Sequence, residues 1–411
     1  NISNDAVLDQ TAASVDINPT DDTNRVAAAN SVDDATLQYL VDTFYSNDSG
    51  ASWLRVRLDN ALDGLGTGRR TNPQVAYDAN GNVYVAYGFS NAAGSRVVLA
   101  RSVDGGASYT SVTTLDAGLA PATISEEQIY LSTGHDFGNA DPMAEVAYVG
   151  WTELTSGVPT TIRVVSSLVS DSTGPQALSF AGGPVVAATG QPRLGDLAVG
   201  PDGQVYATWT DYSTSPERIF VAGDANGRAA GVTLALANSG NPIAVSHVGY
   251  RRSIPAHPQA GVSASPIIEV DRSNSPFRGR VYVTYTELGA GSALDTDLFT
   301  QFSPNGGASW SNPTPVHTRS SSSQFSPSMD VDSSTGNVVV IWRDTGGTAL
   351  DESATTFIAF SVDGGVSYIQ GPALNGQPSN QAGTAAPAQD FGDYIGVSAC
   401  NGFVQNVWAD N

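Results

Sequence analysis

The chain has 411 residues and carries 40 acidic residues against 18 basic ones, all of which are arginine. The formal charge of -22 argues against a nucleic-acid partner, because phosphate binding requires a basic surface, and it also disfavours anionic membranes. The single cysteine, Cys400, excludes an intramolecular disulfide, and no apolar run approaches the roughly 18 residues of a membrane span, so no membrane insertion is expected.

The N-terminal residues NISNDAVLDQ contain no start methionine, basic segment or apolar segment. This pattern is typical of a processed or trimmed N-terminus. Together with the 43 glycines, the many Ser, Thr, Asn and Asp residues and the acidic charge, it predicts an extracellular or cell-surface protein.

Seven β-hairpins are predicted in chain order. Each has two runs rich in Val, Ile and aromatic residues, split by a Gly/Asn/Asp turn, as in PQVAYDANGNVYVAY at residues 73–87. A third and a fourth run follow, so the predicted unit is a four-stranded antiparallel sheet. The hairpins begin near Val15, Gln74, Gln128, Leu197, Ile267, Met329 and Ile395.

The second run of most hairpins ends in the phrase [YW]-x-[DE], and its aromatic residue recurs every 57 to 76 residues from Tyr87 to Trp408. A four-stranded unit repeated at this spacing is typical of propeller blades. The sequence therefore predicts an all-β fold: a single seven-bladed β-propeller over residues 1–411, with six blades as the alternative. The seventh repeat stops after two strands, so we expect Ala6 to Asp9 to supply its outer strand and close the ring.

One phrase occurs four times, between the third and fourth runs, whereas a catalytic centre normally occurs once. The copies are Ser46–Trp53, Ser102–Tyr109, Ser303–Trp310 and Ser361–Tyr368. We interpret them as structural turns in which the carboxylate accepts hydrogen bonds from turn amides and the final aromatic residue packs between sheets. The acceptors are Asp48, Asp104, Asn305 and Asp363.

The phrase S-x-D-x-G-x-[ST]-[WY] resembles the Asp-box, or bacterial neuraminidase repeat, of sialidase-like β-propellers. This resemblance to the superfamily extends over the whole chain. It implies that the boxes lie on the face opposite an active site. It does not specify sialidase activity, since such boxes also occur in propellers with other roles.

Candidate functional residues map to the other face, where loops precede the first strands and follow the second strands. Scarce arginines there would hold a carboxylate or sulfate in bidentate fashion; the alternative is that they pair with the abundant acids. One carboxylate per blade also reaches this face, either for function or as a repeated capping turn. The ligand-binding candidates are Arg70, Arg193, Arg252, Arg319 and Glu153.

Sialidases use a tyrosine nucleophile paired with a glutamate, together with an aspartate acid/base. The resemblance implies that Tyr394 attacks, that Glu287 takes its proton and that Asp211 or Asp344 protonates the leaving oxygen. The alternative for Tyr394 is a packed propeller tyrosine. The family's [FY]-R-I-P motif resembles residues 250–255, YRRSIP, with two additional residues and in the fifth repeat.

Metal and cofactor signals are weak. The four histidines lack the spacing of a zinc site, so no metal or other cofactor is predicted. Asp295 with Asp297, and Asp351 with Glu352, could offer oxygens to calcium, or be solvated loop acids.

Two functions from different classes follow. The first is a secreted or surface sialidase-like propeller that recognises acidic glycans, with hydrolysis as a further option. The alternative is a noncatalytic adhesion or protein-binding module whose partner lies at a cell surface. An enzyme needs a nucleophile and an acid within reach of each other in one pocket, whereas a binder needs only a groove.

Overall fold

The computed structural model of the protein describes residues 8–33, 38–115, 124–155, 157–180, 185–186, 190–228, 231–289, 295–318, 322–346, 351–380, 391 and 394–409. These residues form antiparallel sheets almost throughout. Their only α-helix is the single turn Asn60–Asp63 (α1), and a 3-10 turn spans Asn238–Gly240. No helix in the described ranges is long and apolar enough to cross a membrane.

Six sheets of four or five strands follow one another along the chain. The first two contain β1 (Leu8–Ile17), β2 (Arg25–Asp33), β3 (Gln38–Ser46), β4 (Leu54–Leu58), β5 (Arg69–Tyr77), β6 (Val83–Asn91), β7 (Gly94–Ser102) and β8 (Ser111–Thr114). The third contains β9 (Ile124–His135), β10 (Glu145–Thr155), β11 (Val158–Asp171), β12 (Gly174–Pro175) and β13 (Val185–Val186). The fourth contains β14 (Pro192–Val199), β15 (Val205–Asp211), β16 (Glu217–Asp224), β17 (Ala235–Leu236) and β18 (Ala244–Ser246).

A two-stranded hairpin separates the fourth and fifth sheets, and another ends the fold. The first hairpin contains β19 (Arg252–Ile254) and β20 (His257–Val262). The fifth and sixth sheets contain β21 (Ile267–Val270), β22 (Val281–Leu288), β23 (Thr296–Ser303), β24 (Thr314–Pro315), β25 (Gln324–Val331), β26 (Val338–Asp344), β27 (Thr355–Ser361) and β28 (Ile369–Ala373). The final hairpin contains β29 (Gly396–Cys400) and β30 (Phe403–Val407).

The first strands of the sheets lie side by side in a ring, in the order β1, β5, β9, β14, β21 and β25, and β29 packs between β25 and β1. The predicted all-β propeller of antiparallel blades is therefore confirmed. Its blade count follows the six-bladed alternative, because the described residues form six full sheets and the seventh position holds only the hairpin β29–β30.

The prediction that Ala6 to Asp9 close the ring by pairing in the last blade is wrong for the residues that the structure describes. Leu8 and Asp9 pair with Asp33 and Val32 inside the first sheet, so they extend its inner strand and do not pair with β30. Ala6 and Val7 lie outside the described residues. The prediction rested on the incomplete seventh repeat, whereas the chain from Leu8 continues as β1 through a bulge between Thr11 and Ser14.

The core consists of apolar clusters between successive sheets, including clusters that join the final hairpin to both of its neighbours. The aromatic residue of the recurring [YW]-x-[DE] phrase lies in these clusters, because the second strand of each sheet is covered on both faces. The buried members are Tyr87, Trp151, Trp209, Tyr285 and Trp342.

The four copies of the repeated box phrase fold as the same turn, at the face where first and second strands are also joined. In each turn the amide of the glycine four positions after the opening serine donates to the hydroxyl of that serine at 2.8 to 2.9 Å. Gly106 is required here, because its φ of +93° is left-handed and an added Cβ would lie 2.6 Å from Val26 of the preceding sheet. The carboxylate or amide oxygen of residues 48, 104, 305 and 363 accepts the amide of the serine four positions later.

Candidate functional site

Two adjoining cavities near the centre of the ring concern the candidate site. The first, the axial channel, has about 150 Å³ and is enclosed by the inner strands of the sheets. The second, the outer pocket, has about 80 Å³ and lies between β14, the hairpin β19–β20 and the segment before β29. Tyr130, Ile267 and Tyr394 line both cavities and therefore separate them.

The outer pocket contains a cluster of aromatic and arginine side chains. The Arg193 guanidinium lies 3.9 Å from the centre of the Tyr250 ring, and that of Arg251 lies 5.5 Å from the same ring. Tyr212 meets Tyr250 edge to face with 5.2 Å between ring centres. Burial raises the pKa of Tyr212 to about 12, although the charge of Arg193 opposes this shift, so the phenol stays neutral and can donate a hydrogen bond.

Arg193 forms no ion pair with any carboxylate in the described part of the chain, whereas Arg70 does. It is half-buried in β14, where its neighbours Pro192 and Leu194 are buried. Stacking on an aromatic face lowers the cost of partly desolvating a guanidinium but leaves its donors in the ring plane available. Arg193 can therefore offer those donors to an anion in the outer pocket.

The axial channel contains carboxylates from three inner strands that bind the next inner strand in the same way. Asp16 of β1 accepts the amide of Tyr77 in β5 at 2.7 Å. Asp196 of β14 accepts the amide of Ile268 in β21 at 3.1 Å. In the third case, Asp330 of β25 accepts the amide of residue 399 in β29 at 2.6 Å. Each aspartate also accepts the amide of the residue that follows it, so both carboxylate oxygens are used.

These carboxylates are half-exposed, and they line the channel. Burial raises the pKa values of Asp196 and Asp330 to about 7, against the effect of their amide hydrogen bonds. Burial and the charges of these two aspartates hold the pKa of Glu269 well above its usual range. Arg272 also lines the channel, and its charge lowers the pKa values of Glu269 and Asp330 in part.

The structure separates the predicted ligand-binding arginines. Arg70 is buried and forms an ion pair with Asp63, with 2.7 Å between Nη2 and Oδ1. Arg252 donates from Nε to the carbonyl oxygen of Val248 at 2.6 Å. Arg319 lies outside the described residues. Of the three predicted arginines that the structure describes, Arg193 is the one that lines the outer pocket.

Two of the predicted catalytic acids accept hydrogen bonds from loop backbone amides. Glu287 accepts the amide of His247 at 2.9 Å, and the Nδ1 atom of that histidine lies 3.1 Å from the same oxygen. Asp211 accepts the amides of Gln191 at 2.8 Å and Ser213 at 2.9 Å. These contacts match the capping alternative for the [YW]-x-[DE] phrase.

The remaining predicted acids are also engaged away from the outer pocket. Asp344 is buried and accepts hydrogen bonds from the Ser322 hydroxyl at 3.0 Å and from Gln324 Nε2 at 3.2 Å. Glu153 forms an ion pair with Arg163, with 2.6 Å between Oε1 and Nε. The described residues that line the outer pocket include no carboxylate.

Tyr394, the predicted nucleophile, is buried between the outer pocket and the axial channel. Its ring centre lies 6.2 Å from that of Tyr130. The structure therefore brings Tyr394 and Arg193 into one pocket, but it does not bring Glu287, Asp211 or Asp344 into that pocket with them.

The predicted ligand-binding residues did not include Tyr212, Tyr250 and Arg251. Residues 250–255, YRRSIP, were the available signal for two of them, but Arg252 and not Arg251 was assigned to the site from that motif. The channel carboxylates were also missed. Asp16, Glu269 and Asp330 each lie two residues before the turn of their hairpin, a position that faces the axis.

The calcium candidates do not form a recognisable metal centre. No group of three or more His, Cys, Asp or Glu side chains suited to a metal ion occurs among the described residues. Asp297 lies near His317, with 3.4 Å between Oδ1 and Nε2, and burial raises the pKa of this carboxyl.

No family model matches the sequence, and no curated protein matches it significantly. Similar solved structures exist. The leech intramolecular trans-sialidase complexed with 2,7-anhydro-Neu5Ac has a TM-score of 0.51 at 9% identity, over 83% of this chain and 66% of that one. A Dyadobacter fermentans protein of unknown function has a TM-score of 0.49 at 14% identity, over 83% and 92%. A Penicillium chrysogenum alpha-L-arabinanase complexed with arabinobiose has a TM-score of 0.47 at 11% identity, over 86% and 96%.

At these identities the similarity concerns the fold alone. The trans-sialidase match agrees with the ring of antiparallel sheets described above. Function on a shared fold depends on the residues of the site, so it has to be argued from the outer pocket.

Proposed function

We propose that the protein recognises acidic glycans outside the cell, and that the outer pocket binds the carboxylate or sulfate group of the sugar. The observation that carries this proposal is Arg193, whose guanidinium stacks on Tyr250 and has no ion pair with a described carboxylate. In a chain with 40 acidic residues, such an arginine is available to an external anion.

The pocket's size and composition support the same ligand class. A cavity of about 80 Å³ accepts one acidic group and a few water molecules, while the sugar ring rests against the rim. Tyr212 and Tyr250 provide aromatic surface for the ring, and the neutral Tyr212 phenol provides a donor.

Recognition is favoured over hydrolysis because the predicted acids are used elsewhere. Glu287 binds His247, and Asp211 binds two loop amides. A retaining hydrolase needs two catalytic groups about 5 Å apart, on either side of the bond that is cleaved. Glu287 and Asp211 do not line the outer pocket, so they do not provide this arrangement there.

The test is a binding assay of the full chain with oligosaccharides that end in N-acetylneuraminic acid, glucuronic acid or a sulfated sugar, each beside its neutral counterpart. We expect binding of at least one acidic member, and Arg193→Ala should weaken it by about tenfold or more, a loss of roughly 1.4 kcal/mol. Arg278→Ala is the control, since Arg278 pairs with Asp202 on the opposite face.

Equal binding by wild type and Arg193→Ala, or no preference for the acidic members, would refute the proposal. Fluorogenic sialosides and uronides, assayed with wild type and Tyr394→Phe, test hydrolysis directly. Turnover that Tyr394→Phe abolishes would show that the protein is a hydrolase.

A further inference from the structure

The loop of residues 246–252 joins β18 to β19 and carries both Tyr250 and Arg251 into the outer pocket. Its backbone is left-handed on each side of the tyrosine, with φ of +81° at Gly249 and +53° at Arg251. The left-handed conformation is unfavourable for an arginine, and persists only where surrounding contacts impose it.

Two carboxylates from different sheets supply such contacts. Glu217, at the start of β16, is buried, and its Oε2 atom accepts the amide of Gly249 at 3.2 Å. Glu287, near the end of β22, accepts the amide of His247 at 2.9 Å and lies 3.1 Å from its Nδ1 atom. The loop is therefore bound to the fourth sheet on one side and to the fifth sheet on the other.

Further hydrogen bonds complete this attachment without using the pocket-facing side chains. The Ser246 hydroxyl donates to the carbonyl oxygen of Thr286 at 2.9 Å. The amide of Arg251 donates to the Ser263 hydroxyl at 2.9 Å. The side chains of Tyr250 and Arg251 are thus directed by contacts made through the backbone of their own loop.

We infer that Glu217 and Glu287 are positioning residues for the outer pocket, which hold the 246–252 loop so that the Tyr250 ring contacts the guanidinium groups of Arg193 and Arg251. This inference rests on the proposed function of the pocket. Glu287 thereby has a role different from the proton acceptor predicted from the sequence. The two carboxylates act on the anion only through the loop.

Hydrogen exchange of the unliganded full chain tests the attachment. In the Glu217→Ala/Glu287→Ala variant we expect amides of residues 246–252 to exchange about tenfold faster or more, since local opening loses its main barrier. Asp141→Ala is the matched control, because Asp141 also accepts loop amides, from Met143 and Ser172, but in the third sheet. Unchanged exchange of residues 246–252 in the double variant would overturn the inference.

Ligand affinity tests the consequence for the site, with the acidic oligosaccharide that wild type binds best. The double variant should bind it about tenfold more weakly and with a smaller dependence on salt, because the Arg251 guanidinium, which the loop carries, would be displaced from the pocket. Glu287→Gln keeps an oxygen acceptor for the His247 amide, so this variant should retain most of the affinity and serve as the folded reference.

The outcomes separate the two claims. Weak binding by Arg193→Ala with unaltered binding by the double variant refutes the positioning role and leaves the proposed function intact. Unaltered binding by Arg193→Ala, or no acidic ligand for wild type, refutes the proposed function and the positioning role together.

Discussion

At the scale of the residue, the box turns depend on a buried serine as much as on the exposed aspartate. The Ser102 hydroxyl is fully buried, donates to Asp104 at 2.7 Å and accepts the amide of Gly106 at 2.9 Å. The carboxylate of Asp104 is also held by Ser108, whose side chain is exposed. Sequence reasoning assigned the turn to the aspartate because its charge and spacing are conspicuous, whereas burial of the hydroxyl follows only from packing on the preceding sheet.

Ser102→Ala should therefore destabilise the protein by about 1 to 3 kcal/mol, because the Gly106 amide would be left buried without an acceptor. Ser108→Ala, which removes an exposed hydroxyl of the same turn, should change stability by only about 0.5 kcal/mol. Denaturant unfolding of the two variants measures both effects. Equal losses would mean that the buried acceptor has no special role.

At the scale of the element, the seven hairpins could be predicted because their alternating runs and Gly/Asn/Asp turns are local signals. The residues at which their inner strands begin could not be predicted from the sequence. In three sheets a left-handed residue, Ala12, Asn72 or Ser326, introduces a bulge upstream of the predicted hairpin start. Nothing in the local sequence predicts a positive φ at an alanine, so the extension of these strands needed the structure.

The candidate site could likewise be predicted only in part from the sequence. The sequence indicated which face carries the arginines, since strand direction fixes the end of each loop. It could not indicate that Arg70 is neutralised by Asp63 while Arg193 is not, because that difference depends on tertiary distances. It also could not show that Glu287 reaches His247, 40 residues away in the chain.

The inner-strand aspartates yield a prediction about one element, the hairpin β29–β30. Both oxygens of Asp330 accept backbone amides, from Val331 at 2.7 Å and from Ala399 at 2.6 Å. Asp330→Asn would turn an N–H donor toward one of these amides, so at pH 8 we expect a loss of about 1 to 3 kcal/mol. Hydrogen exchange should rise mainly in residues 396–407. An increase spread evenly over all sheets would contradict this local role.

At the scale of the whole molecule, the carboxyls at the axis couple folding to pH. Burial raises the pKa values of Glu145, Asp196 and Asp330 to about 7, and raises those of Asp16 and Glu269. Carboxyls of the unfolded chain have pKa values near 4, so folding takes up protons between about pH 4 and 7. Stability is consequently lost as pH rises through this window, and self-repulsion of the -22 charge acts in the same direction.

The aspartates of the box turns change the pH dependence of stability in the opposite direction, and they do so at lower pH. Hydrogen bonds from Ser52 and Ser46 lower the pKa of Asp48 to about 2, and the pKa values of Asp104 and Asp363 are also lowered. Their contribution is present above about pH 4 and is lost as pH falls toward 2.

We therefore expect the melting temperature to be a few degrees higher at pH 5 than at pH 8, and to fall again below about pH 4. Scanning calorimetry across this range measures the profile. Glu145→Gln replaces one of the buried carboxyls with a raised pKa by a neutral group and should flatten the decline between pH 5 and pH 8. A melting temperature that rises from pH 5 to pH 8 would disprove the coupling.

The hairpin β29–β30 also makes one position of the ring mechanically weaker than the others. Six positions of the ring hold full sheets, whereas this seventh position holds two strands that side-chain acceptors fasten to their neighbours. Asp330 and Asp332 bind it on one side, through the amides of Ala399 and Gly402, and Asp16 binds the Ser398 hydroxyl on the other. Under mechanical load we expect the contacts between this hairpin and its two neighbouring sheets to break first, while the six full sheets remain folded.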